Sequence, residues 1–184
     1  MSQRKAIDYL SFNFCSNAFL MNATSSILHK TLTSIIIRHD SNETPCHVQR
    51  VPLNEYINRI ITYTQIEFST LVSSLIYIDR YCLQTKTKLT YINVYKLLIC
   101  GILISIKYNE DVIFHMSYYA KVFGVSEKEL RKMERTFATK MKFDFYVKKE
   151  LFEQYYEYIH NEVSVIAKQL NEVEITEFHK VISL

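Results

Sequence analysis

Two ionisable residues are set apart by what surrounds them, Lys107 and Glu134. Lys107 closes LLICGILISIKY (97–108), a segment apolar on every side until that lysine. Glu134 lies in SEKELRKMERTF (126–137), on the charged side of a second amphipathic pattern. An ammonium and a carboxylate standing together need a nucleophile, a metal or a phosphate cradle before they can carry out a reaction. Alone, they can donate to and accept from the polar groups of another chain, so the pattern suggests a surface for gripping a protein. The other candidate chemistry is thin. His39, Cys46 and His47 are the only metal-like grouping, and their spacing matches no common zinc pattern. There is no GxxxxGK[ST], GxSxG or HExxH, and two glycines in 184 residues leave no material for a phosphate-binding loop. No catalytic residue, cofactor, metal or small-molecule substrate is expected.

The elements that would place the pair are helices. A helix apolar all round has no face to give to water, so 97–106 must run through the middle of a bundle and deliver Lys107 to its edge. Two glycines and two prolines are far below ordinary usage, about 12% for the two together. Sheets need turns and turns need those residues, so the shortage argues for long helices with short polar loops. The periodicity predicts helices over 53–64 (Leu53, Tyr56, Ile57, Ile60 and Ile61 on one face), 67–84, 91–108, 112–123, 127–141 and 148–161. Further helices are expected around 16–38 and 162–180. Pro52 suits a first helical turn, Thr90 an N-cap and Gly124 a C-terminal cap. Ser126 followed by Glu129 reads as a capping box. FDFYV (143–147) reads as an extended link.

Composition sets further bounds. The chain has the length of one domain, with roughly 70% of its unfolded surface available for burial. A net charge of +3 is too small to call for nucleic acid, and the basic residues Lys128, Arg131, Lys132 and Arg135 alternate with Glu127, Glu129 and Glu134. The longest apolar run falls short of the roughly 20 residues of a membrane span. Four cysteines without a CxxC pair, and no secretory signal, read as reduced thiols of an intracellular protein of the nucleus or cytoplasm. Asp79, among Tyr77, Ile78 and Tyr81, needs a partner, and Arg59 is the first candidate for a structural ion pair.

The order PLNEYINRI, LIYIDRY, LLICGILISIKYNED and YYAKVFGVSEKELRKMERTFATKMKFDFYV resembles the cyclin box. It is most similar to the phosphate-pathway (P-type) cyclins of fungi and protists and to cyclin Y. The likeness covers about 50–160 and holds order and spacing across five helices. It implies an all-α fold: a single five-helix cyclin box over 49–161, with helical extensions over 1–48 and 162–184. The sequence departs from cell-cycle cyclins in having no tryptophan, and so lacks the tryptophan-bearing first helix they use to recruit substrates.

The resemblance implies a regulatory subunit that binds a cyclin-dependent Ser/Thr kinase and stabilises the active position of its αC helix. Lys107 and Glu134 would bond the kinase backbone, and Tyr118 and Phe123 would lie near the kinase. Without the resemblance, Lys107 reads as a snorkelling lysine at a helix C-terminus and Glu134 as a partner of Lys128. Tyr118 and Phe123 would then read as core aromatics. The alternative function is a cyclin-fold adaptor, or a transcription-factor-like module that binds a scaffold or DNA without activating a kinase. Steep salt dependence of any DNA binding would distinguish that case.

Overall fold

The computed structural model describes residues 18–39 and 51–162. Six helices are bounded there: α1 (Ala18–His39), α2 (Leu53–Thr64), α3 (Phe68–Thr85), α4 (Val94–Asn109), α5 (Met116–Phe123) and α6 (Glu127–Lys140). A seventh, α7, is helical from 149 to 162. Among the described residues there is no strand, and the fold is all-α. No helix among them is long and apolar enough to cross a membrane. The expected helix over 162–180, and Cys46 and His47, lie outside the described residues.

The bundle is built around α4. Every residue from 97 to 106 is buried. α4 packs chiefly on α3 and then on α6, while α1 covers α2 and α5 bridges α2 and α6. α3 and α4 approach closely at Gly101. A Cβ there would stand 2.9 Å from Ile78 Cγ1 and 3.0 Å from the Ser74 carbonyl oxygen. α1 adds Ile27, Leu28, Leu32 and Ile36 to the common core, all at most 2% exposed, and Ser25 Oγ donates to Asn54 O.

Helix ends follow local chemistry. Ser126 accepts from the Glu129 amide at 3.2 Å, and Gly124 closes α5 at φ 71°. The Val125 amide reaches back to Ala120 O and the Gly124 amide to Lys121 O, the paired bonds of a Schellman end. Two starts differ from the sequence reading. α4 begins at Val94, because Thr90 and Asn93 bond each other's backbone amides through their side chains (2.9 and 3.3 Å) and hold 91–93 as a separate turn. α5 begins at Met116. The Phe114 amide instead takes a bond from outside helical register, donating to the Tyr119 hydroxyl at 3.2 Å, and Val112, Ile113 and Phe114 stand out toward solvent.

Candidate docking face

α4 is buried without a break from Leu97 to Ile106. Lys107 is the first exposed residue after that run, in the last helical turn, where a cation suits the negative end of the helix dipole. α6 lies alongside with Leu130, Phe137 and Ala138 turned inward. Glu134 shares the α4-facing side of that helix and meets Lys107 at 2.6 Å, Nζ to Oε1. The side chains keep 35% and 21% of their exposure, so the pair sits at the rim rather than inside. Each group has capacity left over. Lysine carries three donors and a carboxylate accepts several bonds. A rim pair of this kind can offer donors to a carbonyl and an acceptor to an amide of an approaching backbone.

Beside the pair runs the link from α6 to α7. α6 ends as α5 does, with Phe143 N bonding Ala138 O and Lys142 N bonding Thr139 O, both at 3.0 Å. Here no glycine is present: Lys142 and Phe143 themselves adopt φ of 53° and 57°. Left-handed backbone is uncommon outside glycine and asparagine, and unusual for a bulky aromatic. It turns Phe143 outward at 67% exposure, followed by Tyr146 at 66%. Between them, Phe145 turns inward. Its ring lies 5.5 Å from that of Tyr77 and 6.1 Å from that of Tyr108, which follows Lys107 in the chain.

α3 holds the link in place. Arg80 donates from Nη1 to Asp144 O (2.9 Å) and from Nη2 to Tyr146 O (3.0 Å), and also faces Asp144 Oδ1 at 3.7 Å. Tyr77 donates to Phe145 O at 2.9 Å. Burial, more than the neighbouring Tyr108, pushes the Tyr77 phenol up to about 12, so it remains a protonated donor across ordinary pH. A cleft of about 520 Å³ opens between Ser69, Ser73, Tyr108, Phe145, Tyr146 and Phe152.

The remaining candidates fall elsewhere. Tyr118 is half-buried, donates to Tyr63 O at 2.6 Å and packs on Phe114 at 4.6 Å. With Arg59, Tyr63, Lys121 and Val122 it lines a separate groove of about 400 Å³ between α2 and α5. Phe123 corrects the expectation placed on it. At 2% exposure, with its ring 6.1 Å from that of Tyr119, it is a core residue with no surface to present.

The expected Arg59–Asp79 pair is also corrected. Arg59 donates to Lys121 O at 2.9 Å and so caps the end of α5, next to Tyr56, which bonds Phe123 O. Asp79 instead accepts a hydrogen bond from the Tyr155 hydroxyl of α7. Burial first, and then that bond to the carboxylate, raises the Tyr155 phenol well above its ordinary value. A carboxylate that already accepts a phenolic hydroxyl is satisfied without a cation. The mixed-charge reading of α6 fits its i,i+4 pair, Arg131 to Glu127 at 2.6 Å. Reading the sequence alone missed Arg80, Tyr108, Phe143 and Tyr146. Arg80 stood in plain view beside Asp79 in YIDRY, but its partners are 64 and 66 positions away.

Among the described residues, an all-helical bundle carries an ion pair and exposed aromatics on one rim. Sequence comparison gives it a family. The cyclin family model matches residues 10–145, a span that takes in α1 as well as the core of the bundle. Cyclin-U2-2 of Arabidopsis thaliana is 39% identical over 114 residues, 61% of this chain and 49% of the relative. Cyclin-P3-1 of Oryza sativa subsp. japonica is 30% identical over 123 residues, 65% of this chain and 52% of the relative. Cyclin-P4-1 of the same species is 28% identical over 131 residues, 70% of this chain and 61% of the relative. The chain belongs to the cyclin family. It spans about half the length of the curated relatives it matches first.

Proposed function

We propose that this chain is the regulatory subunit of a cyclin-dependent Ser/Thr kinase inside the cell, and that it acts by binding rather than by catalysis. The observation that carries this reading is the Lys107–Glu134 pair, 2.6 Å apart where the buried helix of a cyclin-family bundle reaches the surface. Lys107 and Glu134 bond the kinase backbone beside its αC helix. Tyr108, Phe143 and Tyr146, each more than half exposed, supply the apolar contact around them. A protein kinase is productive only when its β3 lysine pairs with the αC glutamate. A partner with higher affinity for that arrangement shifts the population toward it by the difference in affinity.

The test is a pull-down from native lysate with the wild-type chain and with the Lys107→Ala, Glu134→Ala double variant. Mass spectrometry identifies the captured proteins, and Ser/Thr kinase activity is measured on each eluate. A cyclin-dependent kinase recovered in active form with the wild type alone is the expected result. A kinase recovered but inactive would make the chain an adaptor. No kinase with either protein would remove the reading.

A further inference from the structure

We infer that Arg80 is the positioning residue of the docking face: it clamps the 141–147 link so that the aromatic flank beside Lys107 and Glu134 keeps its shape. This rests on the docking reading above, and none of the residues of the pair is involved in the clamp. The bend after α6 is made from two consecutive left-handed residues that are not glycine, Lys142 and Phe143. Such backbone persists only where the surroundings hold it. The amides of Lys142, Phe143 and Asp144 bond back to α6 and the turn that ends it, which fixes the start of the bend but leaves the carbonyls beyond it without helical partners. Arg80 takes two of those carbonyls, Asp144 O and Tyr146 O, on the two arms of its fork.

The side chain is only 19% exposed, and it carries its charge against the Asp144 carboxylate at 3.7 Å. A guanidinium suits this because its donors diverge in one rigid plane and can bridge carbonyls two residues apart. The two bridged residues bracket Phe145, whose own carbonyl is held by Tyr77 and whose ring touches Tyr108. The three polar contacts therefore fix which way successive side chains point: Phe145 in, Tyr146 out. A one-residue slip in the link would reverse both.

The experiment uses the full chain with Arg80→Met, which keeps the aliphatic stem, and Arg80→Lys, whose single ammonium cannot reproduce the fork. Hydrogen exchange is read at the bonded amides of Lys142, Phe143 and Asp144 in the link and at those of α4. Affinity is read for the cyclin-dependent kinase that the wild type captures, made recombinantly. In both variants we expect the link amides to exchange faster, α4 protection to be unchanged, and kinase affinity to fall about tenfold. Arg80→Lys serves as the test if Arg80→Met does not fold. Faster link exchange with wild-type affinity would overturn the positioning role and leave Arg80 a local brace. Unchanged link exchange would overturn the clamp itself. Failure of the docking reading looks different: the Lys107→Ala, Glu134→Ala variant would then bind as the wild type does, or no kinase would bind at all, and this inference would fall with it.

Discussion

The end of α4 and the 141–147 link contribute to the same face, yet they are positioned by opposite means. Lys107 emerges where it does because the ten residues before it are all buried, so the apolar core decides its place. Phe143 and Tyr146 project as they do because of polar contacts: backbone bonds to α6, an arginine fork and a phenol from α3. Core packing is stiff and costly to disturb. A loop held by a few hydrogen bonds has a smaller local free energy of opening. The ionic part of the proposed docking face is therefore as stable as the bundle, and its aromatic part is only as stable as its clamp.

Substitutions that press on each side sharpen this contrast, and the core should show the largest effects. Ile102, fully buried in α4, should cost about 2–5 kcal/mol on change to Ala, measured by denaturant unfolding. A loss under about 1 kcal/mol would show that α4 is not held by packing. Gly101→Ala should come next. Its Cβ would press on Ile78 and on the Ser74 carbonyl, an overpacking worth about 1–3 kcal/mol, offset by the roughly 1 kcal/mol by which alanine favours a helix. The net result should be a lower melting temperature, and a higher one would place α3 and α4 further apart than described.

On the link side, Tyr77→Phe leaves Phe145 O without its donor and should cost about 1 kcal/mol. The same residue gives a pH signature. Its folded value of about 12 lies above the ordinary phenol value of 10.0, so the unfolded chain loses its proton first. Stability should fall as pH rises from about 10 toward 12, and Tyr77→Phe should make that fall shallower. Identical slopes in the two proteins would show that Tyr77 ionises freely in the folded state. The smallest effect is expected at Lys142. Changing it to Gly removes the left-handed steric cost, about 1–2 kcal/mol, but adds about 0.5–1 kcal/mol of chain entropy. Stability should rise by less than about 1 kcal/mol. A clear loss would mean that the lysine side chain contributes something its backbone conformation does not show.

The contrast also explains what could be read from the sequence. The buried helix, the amphipathic face of α2, the Gly124 end and the Ser126 start are local patterns, and each appears in the structure close to its expected place. The juxtaposition of Lys107 with Glu134 follows from two such patterns packed together. What stayed hidden depends on pairs distant in the chain. Asp79 finds Tyr155, 76 positions away, and so leaves Arg59 to cap α5. Nothing in KFDFYV (142–147) signals two left-handed residues, because the usual marker is glycine and none is present. α5 carries aromatics on both its faces, so periodicity alone could not separate half-buried Tyr118 from buried Phe123.

The most direct test of the central claim is the dissociation constant of the captured cyclin-dependent kinase for the wild type, Lys107→Ala, Glu134→Ala and the double variant, each checked for wild-type helicity. Each single substitution should weaken binding by about 2–5 kcal/mol. Because the two groups touch, the double variant should lose less than the sum of the single losses. Binding of the double variant at wild-type strength would contradict the account.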